Sequence, residues 1–156
     1  LSLDATVSFN CDNAYKAKVS TDNGGSFTEV DSGNHWPTTN TVVITGVTAD
    51  TILDIECKDN GVVGGFIGTV LFAGNTYYTT NPIGAGKWTL ESASDNDYAL
   101  VYAKYPSWPN PLPGQSWIWN KGIYNTLVFR FDFGDGIIGT SCAGNDDCEG
   151  GLICCP

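Results

Sequence analysis

The chain has 156 residues, of which 42% are apolar and 15% charged, a balance that permits a hydrophobic core and excludes disorder for most of the chain. Seventeen Asp and Glu residues against seven Lys and Arg give a net charge of −10, so nucleic acids and anionic membranes would repel the protein. No stretch reaches the roughly 20 apolar residues of a membrane span, and we expect neither a nucleic-acid partner nor a span.

Alternation of apolar and polar side chains predicts most of the secondary structure. It begins with Leu3, Ala5, Val7 and Phe9 on one side of the first strand. Alternation or short apolar runs predict further strands at 15–19, 27–30, 41–44, 52–57, 65–72, 87–90, 97–103, 116–119 and 126–133. Residues 22–25, Asp-Asn-Gly-Gly, predict a turn. Nineteen glycines and seven prolines interrupt the chain too often for a long amphipathic helix, so an all-β sandwich or barrel is expected.

The composition changes after the last predicted strand. From Asp132 to the end there are five acidic residues and no basic one, and four of the six cysteines lie in the same stretch. We therefore divide the chain into a β-sandwich domain, residues 1–136, and a short cysteine-rich acidic tail, residues 137–156.

Cysteine content and the first residue indicate the compartment. Six cysteines in a chain of this size are typical of an oxidising environment. The chain contains no Met, which predicts that Leu1 is the end left by removal of a signal peptide, an artificial chain boundary being the alternative. The expected localisation is extracellular.

Catalytic signatures are weak. The single imidazole is His35, which lies in a loop between Asn34 and Trp36, and no Gly-x-Ser-x-Gly motif occurs. One His and six oxidised cysteines do not make a zinc site. The four glutamates stand in no context that indicates a glycosidase pair. We expect no enzyme activity.

Several short motifs occur in a suggestive order. They are DNAY at 12–15, GNHW at 33–36, GGFIG at 64–68, WIW at 117–119 and VFRF at 128–131. Their order resembles the galactose-binding-domain-like jelly rolls of secreted lectins and carbohydrate-binding modules, over residues 4–133. The resemblance implies an antiparallel jelly-roll β-sandwich that binds carbohydrate without catalysis. The first hairpin turn, residues 21–26, is longer than in that pattern.

The tail spacing, Cys-x5-Cys-x5-Cys-Cys, is similar to half of a knottin framework. We predict that all six cysteines form disulfides. Cys11 and Cys57, each at or near a strand end, are expected to pair across the sandwich. The tail cysteines are expected to pair among themselves, with the adjacent two bonded to the first two in either order: Cys142, Cys148, Cys154 and Cys155.

Aromatic residues divide into core and loop sets. The alternating strands predict a buried set of Phe9, Phe66, Phe72, Trp117, Phe129 and Phe131. Loops rich in Asn, Thr, Gly and Pro contain or border Trp36, Tyr77, Tyr78, Trp88, Tyr105 and Trp108. A ring can stack on the apolar face of a sugar while polar groups bind its hydroxyls. For each loop ring, packing beneath its loop is the alternative role. We predict a site at one end of the sandwich, with Trp36 and Trp108 as exposed platforms and Asn34, Asp12 and Asn110 as polar partners.

Three alternatives stay open beside glycan or glycoprotein binding. The protein is otherwise an extracellular structural or matrix component, a carrier of a hydrophobic or toxic small molecule, or an inhibitor that acts through its tail. Oxygen-rich clusters, Asp95 and Asp97 above all, are candidate ligands of a structural calcium ion, with solvated turns as the alternative. The sequence specifies neither the sugar nor the oligomeric state.

Overall fold

A computed structural model describes residues 3–61, 64–80, 87–91, 98–100, 107–120 and 126–134. These residues form strands and no helix. The strands are β1 (Leu3–Asp12), β2 (Ala14–Ser20), β3 (Thr28–Gly33), β4 (Asn40–Val47), β5 (Ile52–Lys58), β6 (Gly65–Phe72), β7 (Asn75–Tyr78), β8 (Trp88–Leu90), β9 (Tyr98–Leu100), β10 (Ile118–Asn120) and β11 (Thr126–Asp132). The predicted all-β class is confirmed.

The strands form two antiparallel sheets. The first sheet has the order β4-β1-β6-β10-β9, and β7 also pairs with β6. The second sheet has the order β3-β2-β5-β11-β8. Because β1 and β2 are consecutive but lie in different sheets, the chain crosses from one sheet to the other next to Asn13.

Apolar side chains from both sheets meet in one core. Phe66 of the first sheet stacks on Phe129 of the second with ring centroids 4.1 Å apart, and Phe9 meets Tyr15 edge-on at 4.8 Å. All six aromatic residues predicted to be internal are buried. Two antiparallel sheets that share such a core make the predicted β-sandwich.

One disulfide links the two sheets. Cys11 on β1 is bonded to Cys57 on β5, with Cα atoms 5.7 Å apart and a sequence separation of 46 residues. This confirms the predicted pair. The four tail cysteines and the division at residue 136 lie outside the described residues, so those assignments stay predictions.

Two aromatic segments differ from expectation. Tyr77 and Tyr78 lie on β7, which the sequence did not predict because four residues are too few for visible alternation. Ala73 and Gly74 both have positive φ and make the tight turn that returns β7 against β6. Trp88 was expected in or beside a loop but is fully buried on β8, 5.4 Å from the ring of Phe131.

Within the described residues, no helix is long and apolar enough to cross a membrane.

Candidate functional site

Asp12 and Trp108, two of the predicted site residues, meet on the side of the first sheet that faces away from the second sheet. Successive side chains of a strand point to opposite faces. On β1, Ala5, Val7 and Phe9 enter the core, so Asn10 and Asp12 belong to the opposite, outer face. Both are nevertheless buried, at 2% and 7% exposure, because two loops cover this end of the sheet.

The first covering segment is the loop before β4. The Asn10 Nδ2 donates to the carbonyl oxygen of Trp36 at 3.3 Å, and the Thr39 hydroxyl donates to the Asn10 Oδ1 at 3.0 Å. A buried amide thus holds the loop at two points. Trp36 is half-buried against the core, whereas Asn34 and His35 beside it are exposed. The loop therefore presents the exposed amide of Asn34 next to a ring of restricted position.

The second covering segment is the loop before β10. The Trp108 Nε1 donates to the Asp12 Oδ2 at 3.1 Å, and the Trp108 ring stacks on Trp117 with centroids 4.3 Å apart. The Trp117 Nε1 donates to the Pro109 carbonyl oxygen at 3.1 Å. A Cβ on Gly65 would lie 2.5 Å from the Trp108 ring, so the absence of a side chain there is what admits the indole.

The predicted exposure of Trp108 is wrong. Its residue exposure is 2%, because Asp12 provides a partner for the indole N–H and Gly65 provides room beneath the ring. The structure does bring Trp108 and Asp12 together as proposed, but as a buried contact with each other. Asn110, on the same loop, is exposed. The sequence showed a proline-stiffened loop but not the glycine and carboxylate beneath it.

Asp12 is electrostatically unusual. Burial raises the pKa of its carboxyl, the hydrogen bond from Trp108 lowers it, and the charge of Asp59 raises it further, with a net upward shift. The Asp12 Oδ1 is buried and has no hydrogen-bond partner among the described residues. The Asp12 carboxyl therefore holds the Trp108 loop, to an extent that depends on its ionisation, and is not an exposed ligand for a sugar.

At the other end of the same outer face, the outward side chains are exposed or partly exposed. In one row across the sheet, Thr6 on β1 lies opposite Val43 on β4 and Leu71 on β6. In the next row, Ser8 lies opposite Thr41 and Thr69. On β7, Thr76 pairs with Leu71 and Tyr78 pairs with Thr69. We name this set the hydroxyl face: Thr6, Ser8, Thr41, Val43, Thr69, Leu71, Thr76 and Tyr78.

Sequence reasoning did not single out the hydroxyl face, although its signal was present. Several outward positions of β1, β4 and β6 are Ser or Thr, in the same alternation that predicted these strands. The sequence did not indicate the strand order β4-β1-β6, which places these positions side by side.

The proposed calcium ligands Asp95 and Asp97 lie outside the described residues. In the part of the chain that is described, no group of three or more His, Cys, Asp or Glu side chains is arranged to hold a metal ion. Searches against protein-family models, curated proteins and solved structures gave no match.

Proposed function

We propose that this chain is a secreted, non-catalytic carbohydrate-binding protein. The galactose-binding-domain-like jelly-roll type, and the likeness of the tail to half a knottin, are parts of the same proposal. The observation that carries it is the loop in which the half-buried ring of Trp36 lies beside the exposed side chain of Asn34. This pairing offers an apolar surface and a hydrogen-bonding amide within one short segment.

The anchoring of this loop favours binding. Asn10 is buried and bonds the Trp36 carbonyl as well as the Thr39 hydroxyl, so the loop is held before any ligand arrives. A surface that is already ordered loses less conformational entropy when it binds. A sugar could therefore stack on the accessible part of the Trp36 ring at a low ordering cost.

The expected extracellular compartment and the net charge of the chain support the same proposal. The Cys11–Cys57 disulfide is the kind of bond that persists outside the reducing cytosol. A net charge of −10 disfavours polyanionic ligands and leaves neutral glycans as the compatible class. The non-catalytic part of the proposal rests on the sequence, in which His35 is the single imidazole.

A paired measurement tests the proposal. The wild type is applied to a glycan array, and the strongest neutral ligand is then titrated by calorimetry. We expect Trp36→Ala to lower the affinity about 5- to 30-fold, the range for loss of one aromatic contact. Trp36→Phe should restore part of the binding. His35→Ala, in the same loop, is the matched control and should bind as the wild type does.

Melting temperatures separate binding from folding. Because Trp36 also packs against the core, its Ala variant is compared with Trp36→Phe at a temperature where both are folded. If no glycan binds the wild type at millimolar concentration, the proposal is wrong. It is equally wrong if Trp36→Ala and His35→Ala bind alike.

A further inference from the structure

We infer that the hydroxyl face binds an extended, uncharged polysaccharide chain, so that the ligand is a neutral polymer rather than a terminal sugar. This inference rests on the proposed function and names its ligand class. The inference is based on the presence, on one sheet face, of hydroxyl side chains next to two exposed aliphatic side chains, Val43 and Leu71.

The hydroxyls form a regular array. Thr6, Ser8, Thr41 and Thr69 occupy two successive rows on three paired strands. Paired strands lie about 4.8 Å apart, and outward side chains along one strand lie about 6.7 Å apart. Both spacings are of the same order as the length of one pyranose ring, so adjacent sugar units of a chain can meet equivalent hydroxyls.

The array retains hydrogen-bonding capacity. The Ser8 and Thr41 hydroxyls are 3.3 Å apart and bond each other, and the Thr69 hydroxyl accepts from the Gln115 Nε2 at 2.8 Å. Each hydroxyl has one donor and two acceptor positions. The Ser8, Thr41 and Thr69 hydroxyls can therefore each form a further hydrogen bond to a ligand that offers both donors and acceptors, as polysaccharide hydroxyls do.

Charge selects the ligand class. None of the eight side chains of the hydroxyl face is charged, although the chain as a whole has a net charge of −10. The neighbouring charge on β1 is the exposed carboxylate of Asp4, next to the row of Thr6. Among the described residues of this face an anionic polysaccharide would meet no cation, and the protein would repel it, whereas a neutral chain meets no such cost.

The pattern argues against a second copy of the protein as the occupant. Val43 and Leu71 are 58% and 49% exposed, but Thr6 lies between them in the row. The centres of protein–protein interfaces are more apolar than this, and exposed apolar patches that mark them are contiguous. Isolated aliphatic side chains among hydroxyls suit instead the alternating apolar and polar surface of a sugar chain.

The hydroxyl face is continuous with the Trp36 loop. Asn10, which holds that loop, is the next outward residue on β1 after Ser8. The loop itself runs directly into β4, where Thr41 is the first outward residue. A chain bound at Trp36 could therefore continue across the sheet onto the two rows.

The test is a length series. Neutral oligosaccharides of the class selected on the array, from two to eight units, are titrated into the wild type and into the double variant Thr41→Ala/Thr76→Ala. Both residues are exposed, so the fold should survive. Affinity of the wild type should rise with length. The double variant should lose about 5- to 20-fold on the longest ligand, the effect of two hydrogen bonds, and little on the disaccharide.

A matched control uses the second sheet. Thr28→Ala/Thr89→Ala removes two exposed threonines from β3 and β8 and should leave the whole series unchanged. Binding of short ligands that depends on Trp36 but does not strengthen with length overturns this inference and leaves the proposed function standing. Equal binding of an anionic polysaccharide overturns it too, as does a dimer in sedimentation that Thr41→Ala/Thr76→Ala dissociates. Absence of binding to every glycan refutes the proposed function itself.

Discussion

The outer faces of the two sheets use opposite chemistry. On the second sheet, Arg130 donates to both carboxylate oxygens of Asp54, at 2.7 and 2.8 Å, and to Glu91 at 2.8 Å. Lys18 and Glu56 form another pair at 2.8 Å. On the first sheet, the open half carries hydroxyls and two aliphatic side chains, and the other half is covered by loops.

This difference indicates which face is available to a ligand. The guanidinium of Arg130 joins β11 to Asp54 on β5 and to Glu91, which directly follows β8, and it also lies 5.5 Å from the ring centre of Phe27. Its hydrogen bonds to Asp54 are the main cause of an upward shift in the pKa of Arg130. Charges paired across strands stabilise the sheet and are already satisfied. The hydroxyl face keeps hydrogen-bonding capacity that its own neighbours do not use.

The covered and open halves of the first sheet should respond very differently to truncation. Trp108→Ala removes a ring that is stacked on Trp117 and bonded to a buried carboxylate, so we expect a loss of about 3–5 kcal/mol in the free energy of unfolding. Leu71→Ala on the open half should cost less than about 1 kcal/mol. Urea denaturation measures both. Similar losses for the two variants would contradict the burial assigned to Trp108.

On the outer face of the second sheet, burial should decide how much each ion pair contributes to stability. Arg130→Met leaves Asp54, whose side chain is 11% exposed, without its bidentate partner, and should cost about 1–3 kcal/mol. Lys18→Met is the matched control, since the side chains of its pair are 31% and 32% exposed, and should cost about 0–1 kcal/mol. The measurement is chemical denaturation at low and high salt. A larger loss for Lys18→Met would refute this ranking.

The sequence predicted the strands well because local alternation decides them. The turn expected at 22–25 occurs, with positive φ at Asn23 and Gly24, and β6 has the predicted bounds. The Cys11–Cys57 pair was also anticipated, since both residues flank strand ends. The strands and the turn depend on residues close together in the chain, and the disulfide is a choice among only six cysteines.

The site was harder to predict because it depends on sheet order. Trp108 looked exposed since its own segment is polar and rich in proline, but Asp12 lies 96 positions away and supplies the partner that buries it. In the same way, nothing local places Thr6 between Val43 and Leu71. Alternation indicates which side chains share a face of one strand, not which strands become neighbours.

The pH dependence of stability shows how strongly Asp12 stabilises the loop that covers one half of the first sheet. Its pKa is raised on folding from 3.8, so the folded state binds the proton more tightly than the unfolded chain does. Stability linked to this group is therefore greatest at low pH and falls as pH rises through the folded pKa. Asp12→Asn removes the ionisation, so its free energy of unfolding relative to that of the wild type should increase between pH 4 and pH 7.

Two further variants show whether this effect belongs to the buried carboxyl. Asp59→Asn removes the charge that contributes to the upward shift at Asp12, and should give part of the same pH-dependent gain. Asp4→Asn removes the same formal charge from an exposed position on β1 and controls for net charge. If Asp4→Asn and Asp12→Asn change the melting temperature in parallel across this pH range, then burial does not raise the pKa of the Asp12 carboxyl. In that case the contact between Trp108 and Asp12 holds the loop equally well at every pH.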